Sequence, residues 1–170
     1  MVFSRILILC LFFCSALVYG HGPTRQKVKE TININATADD SWKMLKNLDS
    51  AGKWHSEYSA ISIEKNFRKF ASKRDGAKGL IEILSSSDEA MKFKYRLKNP
   101  GSIPVNNYSA NISVKQVGTT SKITFKGAFY RKYVNNDPPP GEDDEAAIKA
   151  VTEIYKNSLN LLKTKLESEQ

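Results

Sequence analysis

Residues 91–98 read MKFKYRLK, and they alternate apolar and cationic side chains without a break. Successive side chains of a β-strand leave opposite faces of the sheet, so this period of two predicts a half-buried strand. One face is expected to meet a core or a cavity, and the other to meet water or a partner. The apolar set is Met91, Phe93, Tyr95 and Leu97, and the cationic set is Lys92, Lys94, Arg96 and Lys98.

Further strands are predicted on both sides of this segment. A first strand, KVKETINI, is predicted over 27–34, and turn-forming residues divide 59–132 into about six more strands. Between them, 35–48 carries Trp42, Leu45 and Leu48 at a spacing of three, which predicts a short helix. A second helical turn over 50–55 is a weaker prediction.

A long helix is predicted over about 142–167, directly after PPPGEDD (138–144) stops the sheet. Its first turn is acidic, which suits the positive end of a helix dipole. Its apolar stripe has helical spacing and comprises Ile148, Val151, Tyr155, Leu159, Leu162 and Leu166. The sheet offers the large apolar face on which this stripe can be buried. The sequence therefore predicts an α+β fold, a curved antiparallel sheet wrapped around a long C-terminal helix, with two short helices after the first strand.

The first twenty residues differ from the rest of the chain. The apolar run ILILCLFFCSALVYG (6–20) follows Ser4 and Arg5 and ends like the small-residue site of a secretory signal. The run is shorter than the ~20 residues that span a bilayer, so a signal peptide over 1–20 is favoured over a retained membrane anchor. Cys10 and Cys14 both lie in this segment, so the mature chain is expected to hold together without disulfides.

The chain carries a formal net charge of +8. Export removes a protein from nucleic acid, and the sequence contains no Cys/His finger and no RNP-like motif, so we expect no nucleic-acid partner. An acidic protein and an anionic membrane surface remain as partners of a basic surface. The simpler interpretation is a solvated basic surface without a specific partner.

Several short motifs follow one another in a distinctive order between Val28 and Leu166. They are Lys53-Trp54-His55, Asp75-Gly76 before Ile81-Glu82-Ile83-Leu84, Tyr95-Arg96, Ile103–Tyr108, Phe125–Phe129, and Asp144–Ala147 before Tyr155–Leu159. In that order they resemble the helix-grip superfamily, which includes START domains, Bet v 1 allergens and polyketide cyclase-like SRPBCC proteins. The resemblance implies the helix-grip fold and places one such domain at 27–168.

Within that superfamily, an exported, basic, cysteine-free mature chain of this length is similar to the MxaD proteins, periplasmic accessory factors of methanol oxidation. This similarity implies a periplasmic location and a role beside a methanol dehydrogenase and its cytochrome c. One position departs from the pattern: relatives often have proline after Trp-His, and this chain has Ser56.

The expected ligand is a hydrophobic small molecule held between sheet and helix. Buried tyrosine hydroxyls need partners, so Tyr95, Tyr108 and Tyr155 could orient its polar atoms, or they could be ordinary core tyrosines. Glu82 would have a raised pKa if it pointed inward and would be a surface carboxylate if it pointed outward, and the strand period cannot choose. The predicted cavity lining is Trp54, Glu82, Met91, Phe93, Tyr95, Tyr108, Phe125, Val151, Tyr155 and Leu159.

Neither a catalytic nor a cofactor site is expected. Two histidines, His21 and His55, and a mature chain without cysteine give little support to a metal or haem site. The sequence shows no Ser-His-Asp order, phosphate loop or dinucleotide fingerprint, so we expect a non-enzymatic protein. The alternatives are a cyclase- or dehydratase-like enzyme that uses Glu82 or His55 as general acid or base, and a periplasmic lipid carrier.

The cationic row, defined as Lys92, Lys94, Arg96 and Lys98, is a predicted docking surface for an acidic protein such as methanol dehydrogenase or its cytochrome c. Complementary charge mainly speeds and orients encounter, which suits a transient complex. The alternative is an edge strand whose lysines prevent aggregation.

Overall fold

The computed structural model describes residues 22–46 and 48–169. The elements are β1 Gln26–Ile34, α1 Ala38–Lys46, a 3-10 turn Leu48–Ser50, α2 Ala51–Trp54, β2 Tyr58–Glu64, β3 Phe67–Ser72, β4 Lys78–Ser87, β5 Lys92–Asn99, β6 Val105–Val117, β7 Thr120–Arg131 and α3 Asp144–Ser168. The strands form a seven-stranded antiparallel sheet in the order β1-β7-β6-β5-β4-β3-β2, and the long helix α3 packs mainly on β1 and β7. The predicted helix-grip arrangement is confirmed. The predicted signal peptide, 1–20, lies outside the described residues and stays a prediction.

α3 begins at a capped, acidic first turn. The side chain of Asp143 accepts a hydrogen bond from the backbone N–H of Ala146 at 2.7 Å, which satisfies one of the free N–H groups at the helix start. Five of the six predicted stripe residues, from Val151 to Leu166, are buried. The prediction for Ile148 was wrong: its side chain is 36% exposed, and the neighbouring Ala147 is buried instead.

β5 confirms the alternation of the 91–98 segment. Phe93, Tyr95 and Leu97 are buried, whereas Lys94, Arg96 and Lys98 are exposed. Met91 precedes the strand with φ at 42°, and its side chain is only partly buried at the edge of the core. The apolar face that the sequence predicted therefore has three fully buried members rather than four.

The strand register places two small residues, Ala110 and Gly127, next to each other where α3 approaches the sheet. On the inner face, Tyr95, Ala110, Gly127 and Val28 lie side by side across β5, β6, β7 and β1. A Cβ added at Gly127 would overlap the hydroxyl of Tyr155, so this glycine allows the tyrosine of α3 to reach the sheet.

Candidate functional site

Three buried tyrosines from three elements meet between the sheet and α3. The hydroxyl of Tyr95 on β5 lies 3.3 Å from the hydroxyl of Tyr108 on β6, and Tyr108 also forms a hydrogen bond with the hydroxyl of Tyr155 on α3. All three side chains are at most 5% exposed. The structure thus brings together the tyrosine cluster, defined as Tyr95, Tyr108 and Tyr155, that the sequence singled out.

Burial keeps these hydroxyls protonated. It raises the pKa of Tyr95 to about 12, and it raises the pKa of Tyr108 and Tyr155 well above the usual value. Neutral hydroxyls can donate as well as accept hydrogen bonds, so the cluster can contact a hydroxyl or carbonyl group.

Tyr58 is a fourth member of this environment that sequence reasoning missed. It is 3% exposed, and burial raises its pKa, with further contributions from the neighbouring Tyr95 and Tyr155. Tyr58 opens β2 ahead of an irregular register with β3, so the period of that strand did not assign its side chain to the inner face.

Aromatic and aliphatic side chains pack around the tyrosine cluster. The ring centroid of Phe125 lies 6.2 Å from that of Trp54 and 5.5 Å from that of Tyr155. The predicted lining residues Trp54, Phe93, Phe125, Val151 and Leu159 are each at most 2% exposed. The structure therefore brings them into one layer, and that layer is packed with side chains.

Glu82 does not belong to this layer, so the cavity prediction for it was wrong. It faces Arg96 directly across β4 and β5, and its Oε2 accepts a hydrogen bond from the Nε of Arg96 at 2.5 Å. This hydrogen bond lowers the pKa of Glu82, the opposite of the shift expected for an inward carboxyl group. The neighbouring residues could not reveal this orientation, because Leu80, Ile81, Ile83 and Leu84 make both faces of the strand apolar.

The ion pair also changes the cationic row. Arg96 forms a salt bridge with Glu82, whereas Lys92, Lys94 and Lys98 form none among the residues that the structure describes, although the charge of Lys98 also helps to lower the pKa of Glu82. All four extend from the outer face of β5, away from α3. Their docking role stays a prediction.

His55 is buried against Tyr58, at the border of the tyrosine environment, and among the described residues it forms no hydrogen bond to the tyrosine cluster. Its ring stacks on Tyr58 with centroids 3.7 Å apart, and its Nδ1 accepts a hydrogen bond from the backbone N–H of Glu57 at 3.2 Å. Burial, and then the nearby charge of Lys73, lower the pKa of His55 to about 3. The imidazole is therefore neutral at ordinary pH, which suits a packing role.

A buried carboxylate network at Glu57 was not predicted from the sequence. The hydroxyls of Ser72 and Ser102 donate to Oε1 of Glu57 at 2.5 and 3.1 Å, and Arg74 contacts its Oε2 at 3.2 Å. The network joins the start of β2, the β3–β4 turn and the loop after β5. Its members lie far apart in the chain, so no local pattern signalled it.

Ser56 makes contacts that a proline could not make. Its backbone N–H donates to Oγ of Ser158 at 2.9 Å, and its own hydroxyl donates to the carbonyl of Ile154 at 3.1 Å. The loop after α2 is therefore held to α3. A polar cleft of about 360 Å³ lies beside this contact, between α3 and the Glu57 network.

The described residues give no sign of a metal centre or a spanning helix. Within 22–46 and 48–169, no three His, Cys, Asp or Glu side chains gather closely enough to hold a metal ion. In the same part of the chain, no helix combines the length and apolar character that crossing a membrane requires.

Comparison with solved structures shows what the fold is similar to. An uncharacterised protein of Bacillus thuringiensis is 22% identical with a TM-score of 0.73, and the match covers 83% of this chain and 98% of that one. The protein XoxI of Bacillus cereus is also 22% identical with a TM-score of 0.72, covering 82% and 94% of the two chains. The aromatase/cyclase Zhui of Streptomyces sp. R1128 is 13% identical with a TM-score of 0.67, covering 85% and 94%.

The sequence itself matches one family over nearly the whole described chain. No curated protein matches it. The family model described as polyketide cyclase / dehydrase and lipid transport matches residues 25–167, which span all seven strands from the start of β1 and nearly all of α3. The matched region contains the tyrosine cluster and the aromatic layer around it, and the chain belongs to the polyketide cyclase / dehydrase and lipid transport family.

Proposed function

We propose that the protein binds a hydrophobic small molecule between the sheet and α3, with the tyrosine cluster contacting the polar end of that molecule. The tyrosine cluster is the observation that supports this proposal. Its hydroxyls satisfy one another in a layer that is otherwise apolar, so a ligand hydroxyl or carbonyl can replace one of these hydrogen bonds with little change in hydrogen-bond energy, once the packed side chains move apart to admit the ligand. An apolar site with a few convergent polar groups is the usual form of a small-molecule site.

The proposed activity is binding without turnover. A cyclase-like enzyme needs a proton-transfer group in contact with the substrate. Glu82 pairs with Arg96 on the outer face, and the Nδ1 of His55 is engaged by the backbone of Glu57. Among the described residues, neither of the two general acids or bases that the sequence offered forms a hydrogen bond with the tyrosine cluster.

We further propose an exported, periplasmic protein that assists methanol oxidation as the MxaD proteins do. The apolar run at 6–20 and the resemblance to MxaD support this proposal. The expected partner is an acidic protein, methanol dehydrogenase or its cytochrome c, and the lysines of the cationic row suit a salt-sensitive complex with it. If a strain that lacks the protein oxidises methanol at the normal rate, the pathway assignment is wrong.

Native mass spectrometry of the protein purified from its own host tests ligand binding directly. We expect a bound apolar molecule, and displacement of the neutral fluorophore N-phenyl-1-naphthylamine when that molecule is added back. Tyr108→Phe should weaken the displacement, whereas Tyr130→Phe, on the outer face, should leave it unchanged. Equal effects of the two substitutions would contradict a role for the tyrosine cluster.

A further inference from the structure

The positive charge of the protein is concentrated on the outer face of four strands. Nine cationic side chains extend from that face of β1, β5, β6 and β7, and the one acidic residue in these strands, Glu30, is paired in register with the inward Phe125. The nine are Lys27, Lys29, Lys92, Lys94, Arg96, Lys98, Lys115, Lys122 and Lys126. By contrast, α1 and α3 on the inner side each carry as many acidic as basic residues.

Two cross-strand contacts on this face bring like charges together. Lys29 on β1 is directly opposite Lys126 on β7, and Lys115 on β6 is directly opposite Lys122 on β7. Like charges at directly opposed positions destabilise a sheet. Among the described residues, neither pair has a carboxylate partner, so a bound anion would relieve the repulsion.

A groove runs across this face between β1 and β5. Its volume is about 570 Å³, and its lining includes four lysines: Lys27, Lys29, Lys94 and Lys126. The register places Lys94, Asn111, Lys126 and Lys29 in one row across the four strands, three strand spacings or about 14 Å. The floor is formed by small residues that include Ser109 and Ala128, and Leu84, 48% exposed, lies at the rim.

We propose that this outer groove is a binding site for the phosphate headgroup of an anionic phospholipid, by which the protein rests on a membrane surface with its sheet facing the lipid. Lysine ammonium groups bind phosphate as point charges, and the amide of Asn111 lies between Lys94 and Lys126 to donate a further hydrogen bond. The site is separate from the interior ligand site, because the backbone at Gly127 lies between the groove and Tyr155.

The acidic protein proposed above would use the cationic row of β5, whereas the groove also draws its lysines from β1 and β7. For this wider face the distribution of charge favours a membrane as the occupant. A membrane presents anionic groups over a wide area, so it can engage the whole nine-cation face at once. The apolar Leu84 and the small floor suit the glycerol stem that follows a lipid phosphate. The balanced helices on the opposite side leave a charge asymmetry that would orient the outer face toward a negative surface.

Vesicle co-sedimentation tests this site. The purified protein is mixed with vesicles of phosphatidylcholine containing 30% phosphatidylglycerol and with vesicles of phosphatidylcholine alone, at low and at high salt. We expect salt-sensitive binding to the first and not to the second. The double substitution Lys94→Gln/Lys126→Gln should weaken binding about 25-fold, roughly fivefold for each lysine lost near the surface.

The matched control is Lys149→Gln/Lys156→Gln, which removes the same charge from exposed positions on α3. This variant should bind within about twofold of the original, and circular dichroism should show both variants folded. Equal weakening of the two variants would assign the binding to net charge and would contradict a binding site in the groove. Equal binding to neutral and anionic vesicles would contradict recognition of an anionic phospholipid headgroup. Binding to poly-L-glutamate without binding to either vesicle would replace the lipid by an acidic protein.

Discussion

Gly127→Ala is the substitution that most directly tests how α3 is seated on the sheet. The added Cβ would overlap the hydroxyl of Tyr155. Overpacking of this kind costs about 1–3 kcal/mol, and losing the Tyr155–Tyr108 hydrogen bond costs about 1 kcal/mol more. Alanine is better than glycine in a strand by about 0.5–1 kcal/mol, which offsets part of this cost. We expect a net loss of about 1–3.5 kcal/mol of unfolding free energy.

A double-mutant cycle separates the overlap from other effects of the methyl group. Tyr155→Phe removes the overlapping oxygen, and the remaining neighbours of the added Cβ are then the Cζ of residue 155 at 3.3 Å and the Cε2 of Tyr108 at 3.4 Å. In that background Gly127→Ala should cost less than about 1 kcal/mol, which gives a coupling energy of at least about 1 kcal/mol.

Urea unfolding monitored by tryptophan fluorescence measures each corner of the cycle. Tyr130→Phe is the control, because Tyr130 lies on the outer face, where Arg25 packs over its ring, and it should combine additively with Gly127→Ala. Additivity within about 0.5 kcal/mol in the cycle with Tyr155→Phe would show that the added Cβ does not meet the hydroxyl of Tyr155.

Substitutions at three ionisable side chains test the remaining assignments. The pKa of His55 is about 3 in the folded protein and near 6.5 when unfolded, so the unfolded state binds more protons between these values. Stability should therefore fall as the pH drops from 6.5 toward 3, by at most about 1.4 kcal/mol per pH unit from this group, and His55→Phe should show a shallower pH dependence in urea titrations. Glu57→Gln should lower the unfolding free energy by about 1–3 kcal/mol, since two serine hydroxyls and Arg74 lose a charged acceptor, and a change below about 0.5 kcal/mol would contradict the network. Glu82→Gln should cost much less stability than Glu57→Gln in the same assay and leave interior ligand binding intact, because its ion pair with Arg96 lies on the outer face; loss of the ligand would return Glu82 to the cavity.

Much of the fold could be predicted from periodicity because burial in this protein follows the local period closely. The alternation of β5 fixed which side chains face inward, and the helical spacing from Val151 to Leu166 fixed the buried stripe of α3. Ile148 shows the limit of this reasoning. Both Ala147 and Ile148 fit the helical spacing of the stripe, and in the structure the smaller Ala147 is buried while Ile148 is 36% exposed.

The candidate site could be predicted only in part. The tyrosine cluster was predicted because its three residues lie on predicted inner faces. Tyr58 was not predicted to join them, because β2 begins with an irregular register. Glu82 was assigned to the wrong face because both parities of its strand are apolar, and only the register with β5 shows that it meets Arg96.

The sequence by itself determined the order of elements, the inward face of β5, the helix that covers the sheet and the excess of positive charge. These features depend on residues close together in the chain, where a period of two or 3.6 residues decides which side is buried. Only the tertiary structure decided the Glu57 network, the Lys29–Lys126 and Lys115–Lys122 contacts and the outer groove. Each of these depends on the register between strands that are distant in sequence, and that register is set by packing across the whole sheet rather than by any local pattern.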